Sequence, residues 1–113
     1  MSAAIDDVLA ERQRQISAEG WTAGHDDEHH NREMAQAADC YVSHYVCRSW
    51  LVDADSELRK KLGGSLARYQ EEETPSDWPW DEKWWKPKDP RRDLVRAAAL
   101  LIAEIERLDR KDV

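Results

Sequence analysis

Residues 78–92 read Trp-Pro-Trp-Asp-Glu-Lys-Trp-Trp-Lys-Pro-Lys-Asp-Pro-Arg-Arg. The prolines Pro79, Pro87 and Pro90 forbid a regular helix or a central strand across this stretch. It also holds four of the chain's six tryptophans and five of its 17 lysines and arginines. So apolar a segment, kept irregular, must either fold back on a core or offer flat rings to a ligand. Indole faces stack on bases, and Lys and Arg hold phosphates, so the segment raises a nucleotide hypothesis.

The rest of the chain reads as helix. Residues 2–19 place Ile5, Val8, Leu9 and Ile16 on one helical face, with Ser2 as N-cap, Asp6 and Asp7 in the first turn and Gly20 as the stop. Arg12 and Glu19 share that stripe and need partners there. After a polar loop at 20–30, a second helix begins near Asp27 or Asn31 and runs to about Cys47. Its apolar face is Met34, Ala37, Ala38, Tyr41 and Tyr45, with Glu33, Ala37, Cys40 and His44 beside it. Residues 50–70 form one broken helix or two short ones around Gly63-Gly64. An acidic linker at 70–77 precedes the tryptophan segment. Asp89-Pro90 then opens a last helix, about 90–110, with Leu94, Ala97, Ala98, Leu101, Ile105 and Leu108 on its apolar face. No strand pattern and no repeat occurs. The expectation is an all-α bundle of three to four main helices, one domain over residues 1–113, with an acidic and then Trp-rich loop at 70–89. Its apolar content points to a homodimer.

A net charge of −7 argues against nonspecific binding to nucleic acid or an anionic membrane. A local basic cluster in an acidic chain suits a small phosphorylated ligand better. Cys40 and Cys47, about 10.5 Å apart on one helix, cannot form a disulfide and match no zinc motif. They read as buried thiols of a cytoplasmic protein. No apolar run is long enough to cross a membrane, and no DNA-reading motif is present.

Carboxylates are the remaining candidates for chemistry. The last helix carries a border stripe of Asp93, Ala97, Leu100 and Glu104, with the two acids roughly 16 Å apart, too far to share one ion. Asp93 could serve a ligand near the basic loop, and Arg12 is an attractive partner for Glu104. The cluster His25-Asp26-Asp27-Glu28-His29-His30 offers metal-ligand types, with Asp26 and His25 the members least explained as helix caps.

Two segments carry a family resemblance. One is Ala10-Glu11-Arg12-Gln13-Arg14-Gln15 with Glu19-Gly20-Trp21-Thr22, His25 to His29, and Ala35 to Tyr41. The other is Trp78-Pro79-Trp80, Trp84-Trp85-Lys86-Pro87, Arg91 to Val95 and Ala103 to Arg110. Together they resemble a family of small phage and prophage proteins, itself similar to the MazG-like all-α nucleoside triphosphate pyrophosphatases. The resemblance covers about two thirds of the chain. It implies Mg²⁺- or Mn²⁺-dependent cleavage of a nucleoside triphosphate to monophosphate and pyrophosphate, in the host cytoplasm for a phage-encoded protein. In that reading Glu11, Glu19 and Glu104 are the catalytic carboxylates. Asp26, Glu33 and Asp93 hold metal. Arg12, Trp21, Trp80, Trp84, Lys86, Arg91 and Arg92 bind substrate, with Lys83 assisting at the phosphates. The chain departs from the MazG pattern of Glu-x-x-Glu on one helix and Glu-x-x-Asp on the next. That departure keeps two alternatives open: a non-catalytic nucleotide sponge, and an anti-defence inhibitor that binds a host protein through the tryptophan segment.

Overall fold

The computed structural model describes residues 2–20, 24 and 32–111. Trp21, Asp26 and the rest of the His25–His30 cluster lie outside them, as does the start expected near Asp27 or Asn31 for the second helix. The described residues are all-α. Three long helices, α1 (Ala3–Ala18), α2 (Glu33–Arg48) and α5 (Pro90–Arg110), are joined by two short ones, α3 (Glu57–Leu62) and α4 (Leu66–Gln70). Single 3-10 turns lie at Ser49–Leu51 and Glu82–Trp84. No described helix is long and apolar enough to cross a membrane.

Local chemistry sets the boundaries. Ser2 caps α1 by accepting from the Ile5 amide, and Gly20 leaves the helix at φ +72°, a left-handed conformation that costs glycine little. Ser56 and Ser65 cap α3 and α4, and Asp89 caps α5 with Pro90 at its first position. The break expected at Gly63-Gly64 does separate α3 from α4. Gly63 turns at φ +73°, while a Cβ on Gly64 would lie 2.3 Å from the Leu51 carbonyl oxygen.

The core forms where α2 and α5 meet and the tryptophan segment folds back over them. Ala37, Ala38, Ala97 and Ala103 keep the two helices close and leave room for large rings. Trp85 stacks on Tyr41 at 4.9 Å, and Trp78 meets both edge-on at 5.1 and 5.7 Å. Such pairs add about 0.5–1.5 kcal/mol each beyond burial. His44 closes the cluster, edge-on to Tyr69 at 4.5 Å and to Trp85 at 5.5 Å. Without phenylalanine, Trp and Tyr fill the interior. The tryptophan segment is therefore partly structural: Trp78 and Trp85 are buried, Trp80 packs at the edge, and Trp84 remains 40% exposed.

The helix faces depart from the apolar-inward expectation. On α1 the buried residues are Glu11, Arg12 and Gln15, while Ile5 and Leu9 face outward. On α5 the buried stripe is Asp93, Ala97, Leu100, Glu104 and Arg107, and Leu101, Ile105 and Leu108 are exposed. The physical reason is that Glu11 and Arg12 find charged partners across the interface in Arg92 and Glu106, while Arg14 and Gln15 of the same helix complete the Glu11 carboxylate, so burying them leaves few donors stranded. The partners also differ from expectation. Arg12 reaches Glu106 at 3.0 Å, and Glu104 is held by Arg107 three residues along its own helix at 2.5 Å. Of the two thiols expected inside, only Cys40 is buried; Cys47 is exposed.

Candidate functional site

Glu11 is the centre of the charged interior. Its side chain is fully buried and accepts from Arg14 Nε at 2.7 Å, Arg14 Nη2 at 2.8 Å and Gln15 Nε2 at 3.1 Å. Arg92 from α5 closes on the same carboxylate. Burial alone would raise the Glu11 pKa. Hydrogen bonds and charge from Arg14, Arg92 and Gln15 outweigh it and hold the carboxyl below its ordinary value. Arg14 continues outward to Glu19 at 3.1 Å and is itself held protonated more firmly than usual, chiefly by its bond to Glu11.

This network forms one wall of a cleft. The other walls are Tyr41 of α2, Trp78, Trp80, Trp84 and Lys86 of the tryptophan segment, and Arg96 and Leu100 of α5. The cleft thus brings together Glu11, Glu19, Trp80, Trp84 and Lys86, five of the residues singled out from the sequence. Its cations differ in availability. Arg14 is spent on two carboxylates. Lys83 and Lys86 lie over the Trp84 ring at 5.4 and 5.5 Å, and Arg96 lies over Tyr41 at 6.0 Å while donating to the Lys86 carbonyl at 2.5 Å. None of these three is paired with a carboxylate among the described residues.

In this wall the side-chain atoms Gln15 Oε1 and Arg96 Nε lack a hydrogen-bond partner among the described residues. Gln15 is 1% exposed, its amide NH₂ is committed to Glu11, and its carbonyl oxygen Oε1 accepts nothing among the described residues. A buried acceptor left empty costs about 1–3 kcal/mol, and any N–H brought into the cleft would recover it. The free volume as folded is about 30 Å³, room for one or two waters.

The other expected site residues lie elsewhere. Asp93 is fully buried under Tyr69, whose hydroxyl donates to it at 2.6 Å, and the Lys88 amide donates at 2.9 Å. Burial pushes its pKa up despite those bonds, and pushes the Tyr69 hydroxyl up as well. Arg91 pairs with Asp7 at the surface, and Arg92 and Arg12 are committed to Glu11 and Glu106. Glu33 sits in the first turn of α2, half-buried, and is not among the cleft residues.

The described donors do not fit a Mg²⁺ or Mn²⁺ ion. No group of three His, Cys, Asp or Glu side chains among the described residues could hold a metal. The most central carboxylate already has its oxygens filled by guanidinium and amide groups, whereas a hard cation needs carboxylate lone pairs free.

Gln15, Arg14, Tyr41, Trp78, Arg96 and Leu100 were not singled out as site residues from the sequence. Gln15 lies four residues after Glu11 and Arg96 four after Arg92, so helical spacing alone could have found both. No protein-family model, curated protein or solved structure matches the chain.

Proposed function

We propose that this protein binds a nucleotide in the cleft between α1, α5 and the tryptophan segment, and that it does so without a metal ion. The observation that carries the reading is the empty, buried Gln15 Oε1 in a wall shared with indole rings and with Lys86 and Arg96, neither paired with a carboxylate among the described residues. A base amino group would donate to Gln15 Oε1. Trp84, already half out in solvent, would stack on the base, a contact worth about 1–3 kcal/mol. Lys83, Lys86 and Arg96 would take the phosphates. Because the folded cleft holds only a water or two, binding moves the exposed side chains of Trp84 and Lys86 outward, exchanging the ammonium–indole contacts for base and phosphate contacts.

The test is a tryptophan-fluorescence titration in EDTA with each common ribo- and deoxyribonucleoside triphosphate. Saturable quenching by at least one is expected. Gln15→Leu should weaken it about tenfold, the worth of one hydrogen bond to a buried acceptor, and Trp84→Ala by a similar factor. Circular dichroism confirms that both variants fold. Absence of saturable binding in the wild type, or unchanged binding in both variants, refutes the proposal.

One feature favours the hydrolytic alternative expected from the resemblance. Glu11 and Glu19 both line the cleft and are joined through Arg14. That reading requires pyrophosphate release that depends on added Mg²⁺.

A further inference from the structure

The outward-facing apolar residues form an ordered surface. On α5, Leu94, Ala98, Leu101, Ile105 and Leu108 recur at spacings of 4, 3, 4 and 3. This is the heptad seam by which one helix packs along another. Leu101, Ile105 and Leu108 are 43%, 57% and 50% exposed, while Leu94 and Ala98 are half-buried. The stripe one residue earlier, Asp93, Ala97, Leu100, Glu104 and Arg107, carries three charged residues and is buried. The protomer thus covers the more polar seam of α5 and leaves the wholly apolar one in water.

Helix α1 extends the same surface. Ile5 and Leu9 are 48% and 47% exposed. With Ala4 and Val8 they join Ile102 of α5 in a continuous groove of about 230 Å³, lined by no polar residue. From Leu94 to Leu108 the α5 seam runs about 21 Å. Packed helices lie roughly 8–10 Å apart, so the two helices present a face on the order of 20 Å by 20 Å. That is the size of the largest apolar patch on many monomers, a patch that is often functional.

We infer that this face is the interface between two copies of the chain, in which α1 and α5 pack on the same helices of the second copy as a four-helix core. Two arguments select a second copy over another occupant. First, the seam has Leu at all three d positions and Ala98 and Ile105 at the a positions, with no polar residue along it. Leu at d with Ala and Ile at a makes a continuous apolar seam of the kind that interdigitates in helix bundles. Second, the face approaches the size of an interface only when it meets itself: doubled by two-fold symmetry its roughly 400 Å² become on the order of 800 Å², the low end for protein–protein contacts. The inference stands whether or not the cleft binds a nucleotide.

Sedimentation equilibrium of the full-length chain, read beside light scattering, tests it. The expected mass is twice the 13.2 kDa of one chain. Leu101→Glu and Ile105→Glu, made separately, should each weaken association at least about a hundredfold and give a folded monomer. Val46→Glu places the same charge on a 68% exposed position of α2 and should leave the dimer intact. A wild-type monomer at 100 µM overturns the inference. So does a dimer that both seam variants leave unchanged, or one that Val46→Glu dissociates equally. Should a seam variant unfold, Leu108→Glu in the last turn of α5 supplies the same readout.

Discussion

Replacing Glu11 with glutamine is the perturbation that separates a structural carboxylate from a metal-ligating one. The native side chain is buried and accepts four hydrogen bonds, three of them from guanidinium groups of Arg14 and Arg92. Glutamine keeps the volume but loses the charge, and its NH₂ would point a donor at other donors. Removing one partner of a fully buried pair costs about 3–5 kcal/mol. Here the arginine side chains are 38% and 30% exposed and recover part of their hydration. The expected loss is therefore smaller, about 2–3 kcal/mol. For a chain of this size that lowers Tm by roughly 10 °C. Urea denaturation followed by circular dichroism, in buffer containing EDTA, measures it. A carboxylate held ready for a metal predicts the opposite sign, because neutralising an uncompensated acid in the metal-free protein is neutral or stabilising. A loss under 0.5 kcal/mol, or a gain, would refute the assignment of Glu11 as the buried anion of an arginine network.

Three further outcomes follow from the same interior. Burial holds the His44 imidazole below its ordinary pKa, and its ring nitrogens find no hydrogen-bond partner among the described residues. The unfolded state thus takes the proton first. The stability tied to neutral His44 is fully present above about pH 6.5 and declines as pH falls, by up to about 1.4 kcal/mol per unit. Urea midpoints between pH 7.5 and 5 should fall in the wild type and flatten in His44→Leu; a wild type flat over that range contradicts this. Tyr69→Phe strands a buried Asp93 oxygen and should cost about 1–3 kcal/mol by the same assay, with Tyr45→Phe as a near-neutral control. Gly64→Ala drives a methyl into the Leu51 carbonyl and should destabilise by about 1–3 kcal/mol, so an unchanged midpoint would contradict the close approach.

These predictions rest on residues whose roles the sequence revealed unevenly. Caps and breaks were legible because they are local: Ser2, Gly20, Gly63 and Asp89-Pro90 each act within one turn of the chain. The helix faces were not. Period tells which residues share a stripe, but not which stripe of two adjacent ones meets this chain's own core. On α5 that choice lies between Asp93-Ala97-Leu100-Glu104 and Leu94-Ala98-Leu101-Ile105. It depends on partners such as Arg92 and Glu11, which are 81 residues apart. The tryptophan segment lay between these cases. Its prolines announced an irregular path, but nothing periodic could say that Trp78 and Trp85 would pack on Tyr41, one edge-on and one stacked, while Trp84 stayed outside. The cleft was half-legible for the same reason: Trp80, Trp84 and Lys86 stood out by type and Glu19 by its place on an apolar stripe, while Glu11 was named only through the family resemblance. Gln15 matters only because an α1 face that is polar faces inward.

Phosphorus NMR of the protein in EDTA with a pooled set of ribo- and deoxyribonucleoside triphosphates, followed by addition of Mg²⁺, tests metal-free nucleotide binding most directly. Metal-free binding broadens or shifts the resonances of at least one nucleotide in EDTA. No pyrophosphate or monophosphate resonance is expected to grow in after Mg²⁺ is added. A spectrum identical to that of the free nucleotides, or pyrophosphate that accumulates only with Mg²⁺, would contradict it.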